Sequence, residues 1–217
     1  MSGSGTYDKL RAAVLGLDLV PGERLSERGL EELLGASRTP IRAALVRLEN
    51  EGLTARNGRG WQVAPIDLGE VRAVVEHREI VESGAVALAV ERAGDHELEE
   101  LRALVATAAD DAQTGLQDGA DFHVALARLS RNDFLADAVH GALTRLARTR
   151  WLEVQTPASR EQARAEHLAI LDAVRDRDAD RAAGLVRAHV RGTRDRLLEH
   201  LDAERLRLRG RGFSIVG

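Results

Sequence analysis

Residues 25–64, LSERGLEELLGASRTPIRAALVRLENEGLTARNGRGWQVA, spell a helix, a tight turn, a second helix with basic residues at its start, and a Gly-tipped hairpin. This order of parts predicts a winged helix-turn-helix. Ser26 stands where an N-cap is preferred, Leu30, Leu33 and Leu34 recur at helical spacing, and Gly35 can take the left-handed conformation that ends a helix. Ser37 can cap the second helix, and Pro40 is tolerated in its first turn. Ile41, Ala44, Leu45 and Leu48 then form an apolar stripe at i, i+3, i+4 and i+7. Helices joined by so short a turn must cross steeply. Leu53-Thr54-Ala55-Arg56 and Trp61-Gln62-Val63-Ala64 read as strands around Asn57-Gly58, the pair that best tolerates a type I′ turn.

Arg38 and Arg42 lie one turn apart, off the apolar stripe, with Ser37 and Thr39 beside them. Such a helix end suits the DNA major groove, where Arg bonds guanine O6 and N7 while hydroxyls and backbone N–H groups bond phosphate. Arg47, further along, is better placed for phosphate. Arg59 and Gly60 form a slender basic tip suited to a minor groove or phosphate. A helical hairpin with merely solvated arginines is the plainer alternative; the combined order of cap, turn, arginines and wing favours DNA.

The 217-residue chain has a net charge of −4, which looks wrong for a DNA binder until its distribution is considered. Residues 1–66 carry 9 Lys+Arg against 8 Asp+Glu, leaving 22 of the 31 bases and 27 of the 35 acids to residues 67–217. Within 36–60, five Arg stand against Glu49 and Glu51, so the expected reading surface is locally basic. Aromatic residues make up 3%, which argues against a stacking platform for single-stranded nucleic acid. There is no Cys, excluding disulfides and thiolate metal sites. No apolar run reaches 18 residues and no signal-peptide core precedes the first motif, so no membrane partner and a cytoplasmic location are expected.

Pro65 ends the wing, and Asp67 with Glu70 reads as a capping box, placing a domain boundary at 66/67. From there, helices are expected over 67–93, 95–111, 114–130, 133–152, 159–176 and 179–205, forming an antiparallel bundle. The whole is expected to be mainly α. Residues 1–66 form the winged helix-turn-helix, 67–207 an all-α effector-binding and dimerisation domain, and 208–217 a basic, flexible tail.

His123, His167 and His189 fall on three different expected helices, each on an apolar face. One such histidine is commonly a hydrogen-bonded core residue. Three converging would be different, because crowded imidazoles cannot all be protonated in an apolar interior, whereas a divalent ion such as zinc or nickel draws neutral imidazoles together.

The motifs PGERLSE (21–27), SRTPIRAAL (37–45), RLENEGL (47–53) and GRGWQV (58–63) resemble the DNA-binding domain of GntR-family transcription regulators. The resemblance implies operator contacts from Arg28, Arg38, Arg42 and Arg47, assisted by Arg59 and Gly60. Ala43 departs from the Glu common there, a side chain that does not read bases. RxxxE at Arg78 to Glu82, FHVALARLSRND (122–133) and EHLAILDAVRDRDADRAAGLVRAHV (166–190) resemble the FCD effector domain of the FadR-type subfamily.

That second resemblance implies a metal held by His123, His167 and His189, which in turn holds a small carboxylate effector. The family's Asp ligand is missing, since position 119 is Gly. Asp118 is out of register, and Asp121 points roughly 160° away from His123 on a 3.6-residue helix. Arg78 matches an arginine that reaches the effector's carboxylate, its alternative being an i, i+4 ion pair with Glu82. Asn132 matches an Asn that serves as an effector contact or a helix cap. His77, His96, His140 and His200 match nothing.

The expected activity is effector-gated binding of a homodimer to a palindromic double-stranded operator, as a repressor. A metal-free bundle that binds its effector through Arg78, and a pure metal sensor, are alternatives left open by Gly119. A hydrolytic metalloenzyme is a further one, but no HExxH motif, nucleophile elbow or placed general base accompanies the histidines.

Overall fold

Tyr7, Leu10 and Val14, spaced i, i+3 and i+7, bury one face of a helix α1 (Ser2–Leu15) that the sequence-based expectation did not include. The computed structural model describes the backbone of residues 2–107, 112–150 and 156–217, and the side chains of 5–107, 120–149 and 156–217. A short strand β1 (Arg24–Leu25) leads into α2 (Glu27–Leu34), and α3 (Arg38–Asn50) follows after three residues. The Ser26 hydroxyl caps α2 by accepting from the Gly29 N–H at 3.0 Å, and the helix ends at Gly35. Ser37 takes the extended N-cap conformation of α3 but makes no side-chain capping bond, so its hydroxyl remains for other partners.

Leu30, Leu34, Ile41, Ala44, Leu45 and Leu48 pack with the α1 stripe and with Leu53, Trp61 and Val63 into one core. Leu33, expected in that stripe, is 58% exposed, because two leucines one turn apart already fill the narrow apolar face of an eight-residue helix.

The wing is three-stranded, in the order β1, β3 (Gly60–Val63), β2 (Thr54–Asn57), all antiparallel. Asn57 pairs with Gly60, which makes Gly58 and Arg59 the two turn residues rather than Asn57 and Gly58. Gly58 has φ +59° and Arg59 is not in the left-handed region, the pattern of a type II′ turn instead of type I′. The turn is thus shifted by one residue, and Arg59 stands at its tip.

Residues 1–70 form one unit with 201–217, and residues 71–200 form the other. The end of the chain is therefore not the flexible tail expected from 208 onward. Leu208, Phe213 and Ile215 are buried, and β5 (Ile215–Val216) pairs in parallel with β4 (Ile66–Asp67). The Ser214 N–H donates to the Pro21 carbonyl at 2.7 Å, and the Ser214 carbonyl accepts from Ile66 N–H at 2.9 Å. Gly22 admits this approach, since a Cβ there would lie 2.3 Å from that of Ser214. Burial of these three apolar side chains and new backbone pairing offset the ordering entropy that otherwise frays a terminus.

The second unit contains residues of α4 (Leu68–Arg92), α5 (Asp95–Ala106), α6 (Ala112–Arg128), α7 (Asp133–Arg150), α8 (Pro157–Arg175) and α9 (Ala179–Gly210). The Asp67 carboxylate accepts from the N–H groups of Gly69 and Glu70 at the start of α4. Thr114 and Gly115, expected to separate two helices, lie inside α6, and Pro157 starts α8 two residues early behind the Thr156 cap. Residues 108–111 and 151–152, at the expected ends of two helices, lie outside the described residues. Helix α5 packs on α6 and α8, and α6 packs on α7 and α8. Arg102 on Asp172 at 2.6 Å and Arg191 on Glu79 at 2.8 Å tie α5 to α8 and α9 to α4.

Candidate functional site

The site residues expected from the sequence fall into two sets, one in each unit. On the first unit, Arg28, Ser37, Arg38, Thr39, Arg42, Arg47 and Arg59 are exposed, and Gly60 is half-buried. Because Ile41, Leu45 and Leu48 claim the inner face of α3, Arg38 and Arg42 are left on its outer face. Neither guanidinium is loose. Arg42 holds Glu27 with two bonds, Nε to Oε1 at 2.6 Å and Nη2 to Oε2 at 3.1 Å, and Arg38 lies 3.4 Å from Glu31. The Arg42 hydrogen bond keeps the Glu27 carboxyl below the ordinary carboxylate range.

Arg28 is paired with Glu32 at 3.5 Å in full exposure, an ion pair of little energy. Arg47 stacks on the Tyr7 ring at 3.6 Å and lies 3.7 Å from Glu51, so α1 orients it. Arg56 stacks likewise on Trp61, and Arg59 is exposed at the turn of the wing.

In the helical unit, His123 of α6, His167 of α8 and His189 of α9 are 3%, 6% and 6% exposed. The four other histidines, His77, His96, His140 and His200, are exposed. Nε2 of His189 lies 3.2 Å from Nε2 of His123 and 3.4 Å from Nε2 of His167. A ligand atom from each ring lies within 4.8 Å of the other two. The Phe122 ring stacks on His167 with centroids 3.9 Å apart, closing one side with an apolar wall.

Burial pushes His123 down from the ordinary imidazole value of 6.5 to about 3, outweighing the attraction of Glu82. Burial lowers His189 too, against the pull of Glu166. Both rings are neutral at pH 7. Burial alone would raise Glu82, but the Arg78 charge and the hydrogen bonds from His123 and Arg78 hold it well below the ordinary carboxylate range.

Arg78, 1% exposed, donates from Nε to Glu82 Oε1 at 2.6 Å. Its two terminal nitrogens are buried with no hydrogen-bond partner among the described residues. A buried guanidinium with unused N–H groups is costly unless an anion reaches it. The ion pair with Glu82 and a role toward an effector are therefore compatible, because they use different nitrogens.

Asn132 acts as a helix cap. Its Oδ1 accepts from Phe134 N–H at 3.1 Å and Leu135 N–H at 3.4 Å, so the side chain caps α7. Asp121 is exposed, and the side chain of Asp118 lies outside the described residues, as does everything beyond the backbone at Gly119. Glu166, whose Oε2 meets His189 Nδ1 at 2.6 Å, was invisible as a site residue in the sequence, since the two stand on different helices. Its only signal was adjacency to His167.

Residues 3–63 match the family model described as bacterial regulatory proteins, gntR family, and residues 73–192 match the FCD domain. The chain is 34% identical over 184 residues to the Nta operon transcriptional regulator of Aminobacter aminovorans, covering 82% of this chain and 86% of that protein. It is 35% identical to an HTH-type transcriptional regulator in unstable DNA locus of Streptomyces ambofaciens, over 93% of this chain and 84% of the other. Among solved structures, E. coli McbR/YncC superposes with a TM-score of 0.75 at 22% identity, over 91% and 97% of the two chains, a likeness of fold.

Proposed function

Since the chain belongs to the gntR family of bacterial regulatory proteins, carries an FCD domain and is a DNA-binding regulator rather than an enzyme, we propose how it is gated. A homodimer reads a palindromic operator through Arg38 and Arg42, with Arg28, Arg47 and the Arg59-Gly60 wing on the phosphates and minor groove. It represses until a small carboxylate enters the helical unit, where His123, His167, His189 and Arg78 receive it through a divalent ion, zinc or nickel.

One observation carries the metal reading. Glu82 and Glu166 face Nδ1 of His123 and His189, so the single proton of each neutral ring sits on Nδ1. The two Nε2 lone pairs then face each other at 3.2 Å with nothing of their own to share. A divalent cation satisfies both. Zinc–nitrogen bonds of roughly 2.0–2.1 Å in a tetrahedron put ligand nitrogens about 3.3–3.4 Å apart, close to the 3.2 and 3.4 Å of the two pairs that include His189, and all three ligand atoms lie within 4.8 Å of one another. When bound, such an ion supplies an open position for a carboxylate oxygen. Arg78, with two unused NH2 groups, offers a bidentate seat for the same anion.

A metal-free variant keeps only the Arg78 seat and is favoured by one fact, Gly119 in place of the family's Asp. The test is operator affinity of the zinc-loaded chain, on a duplex selected from random sequence, against a panel of hydroxy- and dicarboxylic acids. Release by one acid, in the 5- to 150-fold range typical of ~1–3 kcal/mol coupling, supports the reading, and indifference to all of them refutes it.

A further inference from the structure

We propose that Glu82 and Glu166 are the positioning residues of the histidine centre, each accepting the Nδ1–H of one imidazole so that the Nε2 lone pairs of His123 and His189 turn to a common point. This deepens the metal-binding reading above and rests on it for its consequence, although the tautomers themselves exist without any ion.

The contacts are short and directional. Glu82 is shared, Oε1 accepting from Arg78 Nε at 2.6 Å and Oε2 from His123 Nδ1 at 2.8 Å, with its side chain 5% exposed. Glu166 Oε2 accepts from His189 Nδ1 at 2.6 Å, while its Oε1 accepts from Gln162 Nε2 at 2.9 Å, and the side chain is 27% exposed. A carboxylate can only accept. With the tautomer reversed, a ring lone pair would face carboxylate oxygen at 2.6–2.8 Å in a buried site, a repulsion that low dielectric makes severe. Each carboxylate therefore selects the tautomer of its ring, as outer-shell partners of ligating histidines do generally.

Glu82 has a second effect. By taking Nε of Arg78, it leaves Nη1 and Nη2, the two atoms lacking partners among the described residues, as the part of the guanidinium open to an anion. One buried carboxylate thus sets both the imidazole and the guanidinium.

The two carboxylates differ in what a glutamine could do in their place. Glu82 accepts from two buried donors, and an amide has a single acceptor oxygen, so Glu82→Gln must turn an NH2 toward either His123 or Arg78. At position 166 the other partners are the exposed Gln162, whose own amide can flip, and Arg196, 3.6 Å from the oxygen that His189 uses, so Glu166→Gln can keep its oxygen on His189.

The experiment uses the full chain with 15N-labelled histidine, measuring two-bond proton–nitrogen correlations without metal and cobalt(II) affinity with it. In the unaltered protein, His123 and His189 are expected as Nδ1–H tautomers. Glu166→Ala is expected to mix the His189 tautomers and weaken cobalt by 10- to 100-fold, and Glu166→Gln to restore both. Glu82→Gln is expected to shift His123 without rescue; should it fail to fold, the position 166 pair decides. Nε2–H tautomers in the unaltered protein, or an unchanged His189 in Glu166→Ala, would overturn the proposal. If the unaltered protein binds no cobalt, the metal reading fails, while the nitrogen shifts still decide the positioning roles.

Discussion

His123 Nε2 lies 3.2 Å from His189 Nε2, and both rings present lone pairs at that distance because their Nδ1 protons are held by Glu82 and Glu166. The third ring, His167, brings its Nε2 to 3.4 Å of His189. A centre of this kind tolerates a cation between the rings far better than protons on them.

The first prediction concerns pH. In the unfolded chain His123 binds a proton near its ordinary 6.5, whereas in the folded protein burial holds it at about 3. Between those values the unfolded state binds more protons, so stability rises with pH there and falls as pH drops. The contribution is fully present above pH 6.5 and gone below about 3. His189 and Glu82, both lowered, act in the same direction. Thermal melting of chelator-treated protein should show the midpoint falling steadily from pH 7 to pH 4, and His123→Gln should flatten that slope.

The second concerns the reading head. Arg38→Ala should cost about 1–3 kcal/mol on the operator and relax preference at one base pair. Arg59→Ala should weaken binding evenly across sequences and reduce the salt slope by about one. Fluorescence anisotropy on the selected duplex and on single-base variants, at several salt concentrations, separates the two patterns. Equal losses on every sequence for Arg38→Ala would remove that residue from base reading.

The third concerns the end of the chain. Phe213 is 4% exposed and belongs to the first unit. Phe213→Ala should destabilise that unit by about 3–5 kcal/mol, the usual cost of emptying a buried aromatic site, measured by urea unfolding. A loose tail would give no measurable change.

Much of this was legible in residues 25–64, where Ser26, Gly35 and the stripe from Ile41 to Leu48 determine local structure by contacts within a few residues. The helical unit was readable for the same reason, since periodicity and caps such as Thr156 are local signals. Helix α1 had its signal in Tyr7, Leu10 and Val14, diluted by the glycines that precede them. The β4–β5 pairing had none, because two-residue strands at 66 and 215 meet through tertiary contact.

The site divides in the same way. Three histidines on apolar faces marked candidates, and family resemblance implied that they converge, but spacing along helices cannot bring α6, α8 and α9 to one point. Arg78 and Glu82 were readable as an i, i+4 pair. That Glu82 also takes His123, and Glu166 takes His189, depends on helix packing that no local pattern encodes. Asn132 was ambiguous in sequence because an N-cap and a ligand contact use the same side-chain oxygen.

The most direct test is elemental analysis of the purified chain beside a His123→Ala, His167→Ala, His189→Ala triple variant. The account predicts about one zinc or nickel per unaltered chain, held by three histidines with a position left open, and none in the variant. An unaltered protein that holds no divalent metal even after reloading, or a triple variant that retains it, would contradict the account.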